Sequence, residues 1–75
     1  MKKNKTDLRA EKVLQKIIAR RQELGVSQMD LAAKINITNN GYFKVETGKT
    51  KLDLKRLLRI AEVLEVSPVV FFEGL

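Results

Sequence analysis

The sequence predicts a single, compact all-α domain built from five short helices. Three observations carry that expectation. Apolar residues recur at three- and four-residue spacing through most of the chain. Pro occurs once and Gly four times, while Leu, Ile, Val, Ala, Lys and Glu dominate. At 75 residues, with neither Cys nor His, the chain has no disulfide and no Cys/His zinc site to staple it. Stability must therefore come from a packed helical core or from pairing with a second copy.

Residues 1–6 read as a flexible basic arm and residues 7–75 as the folded domain. MKKNK, at 1–5, has nothing to bury, so disorder is expected there. Such an arm either touches a polyanion or merely solubilises. The first helix is expected over 7–24, capped by Thr6 or Asp7, with Ala10, Val13, Leu14, Ile17, Ile18 and Leu24 apolar and Gly25 ending it. Arg21 interrupts the inward stripe.

The second helix opens at Ser27, whose hydroxyl can accept from the backbone N–H three residues on, with Asp30 completing a capping box. Leu31, Ala32 and Ile35 then share one face, and the small Ala32 lets another helix cross closely. Asn36 can take a left-handed backbone and stop the helix. Ile37 returns to the core, and Thr38 caps a third helix over 39–46, with Tyr42 and Val45 facing inward. Asn40, Phe43 and Lys44 come out on the opposite face, with Asn39 at its leading edge.

Gly48 ends this helix, and Lys49, Thr50 and Lys51 form a basic loop that either meets phosphates or stays solvated. Asp53 caps a fourth helix over 54–64, whose Leu54, Leu57, Leu58, Ile60, Ala61 and Leu64 form a face broad enough for burial on two sides. Ser67-Pro68 opens a last helix over 68–72. Val69, Val70, Phe71, Phe72 and Leu75 exceed what one short helix can bury. They predict a homodimer seam through Val69, Phe71, Phe72 and Leu75, against the alternative that Phe71 and Phe72 plug the chain's own core.

Two local motifs suggest rival structures. Asn40-Gly41 is a strong hairpin signal with β-prone flanks, but a lone two-stranded ribbon would have no sheet to join. Gly48-Lys49-Thr50 matches the end of a phosphate-binding loop, but the Gly required five residues earlier is Phe43.

The net charge of +6 favours a polyanionic partner, and it is concentrated early. Residues 1–26 hold eight Lys/Arg against three Asp/Glu, whereas 52–75 hold three against four. Two short helices joined by a tight turn, the second with a polar face, suit the major groove of DNA. Asn matches adenine N6 and N7, Lys donates to guanine O6 and N7, and an aromatic edge can lie on a thymine methyl.

Ser27-Gln28-xx-Leu31-Ala32, the turn Asn36-Ile37-Thr38, Val45-Glu46-x-Gly48 and Leu54-xx-Leu57-xx-Ile60-Ala61-xx-Leu64-x-Val66-Ser67-Pro68 resemble the Cro/C1-type (XRE) helix-turn-helix proteins of phages and bacteria. The likeness spans roughly residues 13–72. It implies a lambda-repressor-like fold with the helix-turn-helix at helices 2 and 3. It also implies a phosphate contact for Gln28, a loop at 49–51 lying along the DNA backbone, and an ion pair between Arg21 and Glu46. The alternatives are a simple polar Gln28 and a solvent-exposed Arg21 that touches phosphate. Gly41 and Phe43 depart from the family's pattern. Phe43 either reads thymine methyls or packs sideways on the first or fourth helix. The ending from Leu64 to Glu73 resembles the small controller proteins of restriction–modification systems.

The expectation is thus a DNA-binding transcriptional regulator, a dimer on a palindromic operator. Asn39, Asn40, Lys44 and Phe43 would read bases, and Gln28, Thr38, Lys49 and Lys51 would contact phosphates. No enzyme can be assembled from these residues, and no metal, cofactor or small-molecule ligand is expected. No apolar run approaches a membrane span and no signal-peptide core follows the first lysines, which reads as cytoplasmic. The alternative is an antitoxin or other interaction module whose apolar C-terminal surface meets a different protein.

Overall fold

The computed structural model describes residues 2–75; Met1, the first residue of the expected arm, lies outside them. Four α-helices, α1 (Lys5–Glu23), α2 (Gln28–Lys34), α3 (Asn39–Glu46) and α4 (Leu54–Val63), precede a short 3₁₀ helix, Pro68–Phe72. No strand occurs among the described residues, and Asn40-Gly41 lies inside α3 rather than at a hairpin turn. The last helix expected over 68–72 is present as a single 3₁₀ segment, so the α-helices number four among the described residues. Its Val70 N–H bonds the Ser67 carbonyl three residues back, the tighter pattern that short pieces adopt.

Each α-helix starts on a side chain that accepts an otherwise orphaned N–H. Ser27 Oγ takes Asp30 N–H at 3.0 Å, Thr38 Oγ1 takes Gly41 N–H at 2.9 Å, and Asp53 Oδ1 takes Arg56 N–H at 2.8 Å. At α1 the expected cap is corrected. Asn4, not Thr6 or Asp7, sits in extended backbone and accepts from Asp7 N–H at 2.7 Å, so the helix begins at Lys5 inside the expected arm. Lys3 pairs with Glu11 on the next turns.

All four α-helices end alike, on a left-handed residue with paired return bonds. Gly25, Asn36, Gly48 and Glu65 have φ of 69°, 66°, 75° and 57°. The next residue's N–H reaches back in each case, as from Val26 to Arg21 O, Ile37 to Ala32 O, Lys49 to Lys44 O and Val66 to Ala61 O. In three of the four that residue is apolar and packs on the core. The fourth is Lys49, so the chain leaving α3 stays at the surface.

The core gathers Val13 and Ile17 from α1, Leu31, Ala32 and Ile35 from α2 and its cap, and Tyr42 and Val45 from α3. Leu57, Ile60, Ala61 and Leu64 complete it from the far side, with Phe71. α2 packs on α3, and the 3₁₀ helix packs on α1 and α4. Arg20 crosses from α1 to satisfy the end of α4, its Nε donating to Leu64 O at 2.9 Å. α4 is buried on one side only: Leu54 and Leu58 remain exposed.

Phe71 is 0% exposed within one chain. It cannot line a dimer seam, because its ring is already the plug between α1 and α4. Leu75 likewise packs partly against the core. We expect Phe71→Ala to cost about 3–5 kcal/mol, measured by urea denaturation. In a small domain whose whole stability is on the order of 5 kcal/mol, that leaves much of the protein unfolded. A loss below about 1 kcal/mol would contradict burial of this ring.

Candidate nucleic-acid interface

α2 and α3 meet through the turn at Asn36-Ile37-Thr38, and one surface of the pair is polar and open. Asn39, Asn40, Phe43 and Lys44 are all exposed on α3. Phe43, 45% exposed, stands among the polar residues of that face rather than in the core. A β-carbon at Gly41 would approach Thr38 Oγ1 to 3.0 Å, so a side chain there requires a small shift of the capping hydroxyl.

The basic loop is tied to the end of this helix. Lys49 N–H and Thr50 N–H both donate to the Lys44 carbonyl, at 2.9 and 3.2 Å. Thr47 Oγ1 donates to the Phe43 carbonyl at 3.0 Å. Lys44, Lys49 and Lys51 are exposed and make no ion pair among the described residues. α3 and its loop thus expose three lysines and two amides.

Behind that surface lies a buried polar cluster. Arg21 Nε donates to Glu46 Oε2 at 2.6 Å and Arg21 Nη2 to Oε1 at 3.2 Å, while Nη1 donates to Val26 O at 2.9 Å. Gln28 Nε2 donates to Glu46 Oε1 at 2.8 Å. α1, the turn after it, α2 and α3 are joined at one carboxylate. Gln28 is thereby held by Glu46, although its half-buried side chain remains at the surface.

The helix-turn-helix family matches residues 17–71 of the chain, the span from mid-α1 through Phe71. The chain belongs to the Cro/C1-type helix-turn-helix family. Among curated proteins, it is 39% identical over 54 residues to the SPbeta prophage-derived uncharacterized HTH-type transcriptional regulator YonR of Bacillus subtilis (strain 168). That match covers 72% of this chain and 50% of the relative, so the chain spans about half the length of the protein it resembles. No solved structure matches significantly.

For this helix-turn-helix protein the sites split into those the fold assembles and those it separates. Thr38, Asn39, Asn40, Phe43, Lys44, Lys49 and Lys51 lie on or beside the exposed side of α3, and Arg21 and Glu46 come together inside. The expected seam is divided. Val69 and Phe72 are exposed, with Val70 beside them, whereas Phe71 is interior and Leu75 partly so. Sequence reasoning missed the Gln28–Glu46 bond and the double anchor of the loop on the Lys44 carbonyl. Neither has a sequence signal, since both depend on where the third helix sits. Among the described residues no three acidic or metal-binding side chains are grouped to hold a metal, and no helix is long and apolar enough to cross a membrane.

Burial by itself would raise the Glu46 pKa, but the hydrogen bonds from Arg21 and Gln28 and the Arg21 charge outweigh it and hold the carboxyl below its usual range. The stabilisation from this group is complete above the unfolded value near 4.5 and is lost as pH falls through the lower folded value. We expect Arg21→Met to cost about 3–5 kcal/mol by leaving a buried charge unpaired. Adding Glu46→Leu should recover most of that loss and flatten the decline in stability below pH 4.5, both read from urea midpoints against pH. A double variant no more stable than Arg21→Met would mean that the pair does more than compensate its own burial.

Proposed function

We propose that this chain is a sequence-specific DNA-binding transcriptional regulator that docks as a homodimer on a palindromic operator. The observation that carries the reading is the exposed amide-and-lysine face of α3, continuous with a basic loop anchored to the same helix. In this arrangement α3 enters the major groove. Asn39 and Asn40 offer paired donor and acceptor atoms to adenine, Lys44 donates to guanine, and the Phe43 ring edge meets thymine methyls. Gln28, Thr38, Lys49 and Lys51 set the register on phosphates without reading sequence. The description of the Bacillus relative as a transcriptional regulator agrees with this reading.

A second copy is favoured by the apolar surface of α4 and the 3₁₀ helix: Leu54, Leu58, Val69, Val70 and Phe72 are exposed on two elements that pack together. Pairing through them places two α3 helices in major grooves one helical turn apart. A different protein seated on the same surface is the competing occupant.

Selection of random duplex DNA at physiological salt should enrich a palindrome with half-sites about one helical turn apart. Asn40→Ala and Lys44→Ala should each weaken binding to it by about 1–3 kcal/mol with the fold intact. Enrichment of nothing, with only salt-sensitive general attraction of a +6 chain, would overturn the reading. Phe72→Lys should yield a folded monomer by sedimentation with weakened operator binding. A variant that still sediments as a dimer would move the seam elsewhere.

A further inference from the structure

Tyr42 is 0% exposed, and its hydroxyl has no hydrogen-bond partner among the described residues. Leaving a buried hydroxyl unpaired costs free energy, and Phe would fill the same space without that cost. Tyr42 and Glu46 are both buried one turn apart on the same face of α3, and burial first and the neighbouring carboxylate second push the phenol pKa well above its usual range. The hydroxyl stays a neutral donor with a proton to give.

Glu46 already accepts three bonds, two from Arg21 and one from Gln28, of the roughly four a carboxylate can take. The Gln28 bond at 2.8 Å is the shorter of the two on Oε1, the other being the 3.2 Å contact from Arg21. Gln28 is also the one member of the cluster that reaches the surface. If its amide turns outward, Oε1 keeps a single long bond beside an idle hydroxyl.

We propose that Tyr42 is a positioning residue whose hydroxyl replaces Gln28 on Glu46 when the Gln28 amide turns to a DNA phosphate. The exchange keeps the carboxylate satisfied and the Arg21–Glu46 pair closed. α3 therefore holds its attitude in the bound state without a buried charge losing a donor. The inference rests on the DNA-binding reading above, with Gln28 at a phosphate.

The test is a double-mutant cycle of Tyr42→Phe and Gln28→Ala, read both as urea stability of the free protein and as affinity for the duplex enriched by selection. Tyr42→Phe alone should leave free stability unchanged or raised and weaken DNA binding about fivefold, the worth of one net hydrogen bond. In the Gln28→Ala background the hydroxyl is already engaged. There Tyr42→Phe should lower free stability and leave affinity unaltered. Tyr42 is also the chain's one tyrosine, so its ¹³Cζ resonance should shift on adding DNA, and not in Gln28→Ala. An affinity unchanged by Tyr42→Phe, a loss equal in both backgrounds, or destabilisation of the free protein with Gln28 present would each overturn the exchange. If Asn40→Ala weakens binding while Tyr42→Phe does not, the exchange falls and the DNA reading stands. A wild-type chain with no preferred duplex removes both.

Discussion

The arrangement of this molecule depends on one buried ion pair, Arg21 with Glu46. Glu46 is the last residue of α3, where the helix dipole disfavours a carboxylate, and it is almost wholly removed from water. Only a cation delivered in fork geometry, with further donors on the remaining lone pairs, makes that position tolerable. Arg21 delivers it from α1 while donating to the Val26 carbonyl in the next turn. The same contact fixes where α3 stands relative to α1, and so which of its residues face out. Gln28 joins the exposed surface of α2 to this cluster, so the pair bears on the proposed site as well as on the fold.

Around that pair, local chemistry divides the chain into helices too short to persist alone. α2, α3 and α4 have seven, eight and ten residues, below the length at which isolated helices hold in water. Side-chain caps at their starts and left-handed turns at their ends satisfy groups that would otherwise need solvent. Packing then supplies what local propensity lacks. Where the pattern changes, at Lys49, the chain stays at the surface and its charge stays available.

Two surfaces follow with different chemistry. One, on α3 and its loop, is polar and cationic. The other, on α4 and the 3₁₀ helix, is apolar, because Phe71 and Leu57 turn inward while Phe72, Val69, Leu54 and Leu58 do not. A small core has room for one aromatic plug at this end, and the second is left outside.

What the sequence by itself determined is local. Ser27, Thr38 and Asp53 could be read as helix starts and Asn36 and Gly48 as stops, because caps depend on one side chain and the few N–H groups after it. The outward face of α3 followed from helical periodicity, and the Arg21–Glu46 pair was implied by family resemblance. Asn4 is not legible as a cap, because a single capping amide carries little signal within a lysine-rich run. Glu65 carries no signal for its left-handed turn, which the return bonds and the Arg20 contact to α4 hold in place. Only tertiary structure decided which of two adjacent phenylalanines is interior, that Gln28 is bound to Glu46, and that the Tyr42 hydroxyl is buried without a partner among the described residues. Each of these joins residues from different helices. Their distances are set by how whole helices pack, which no local window of sequence contains.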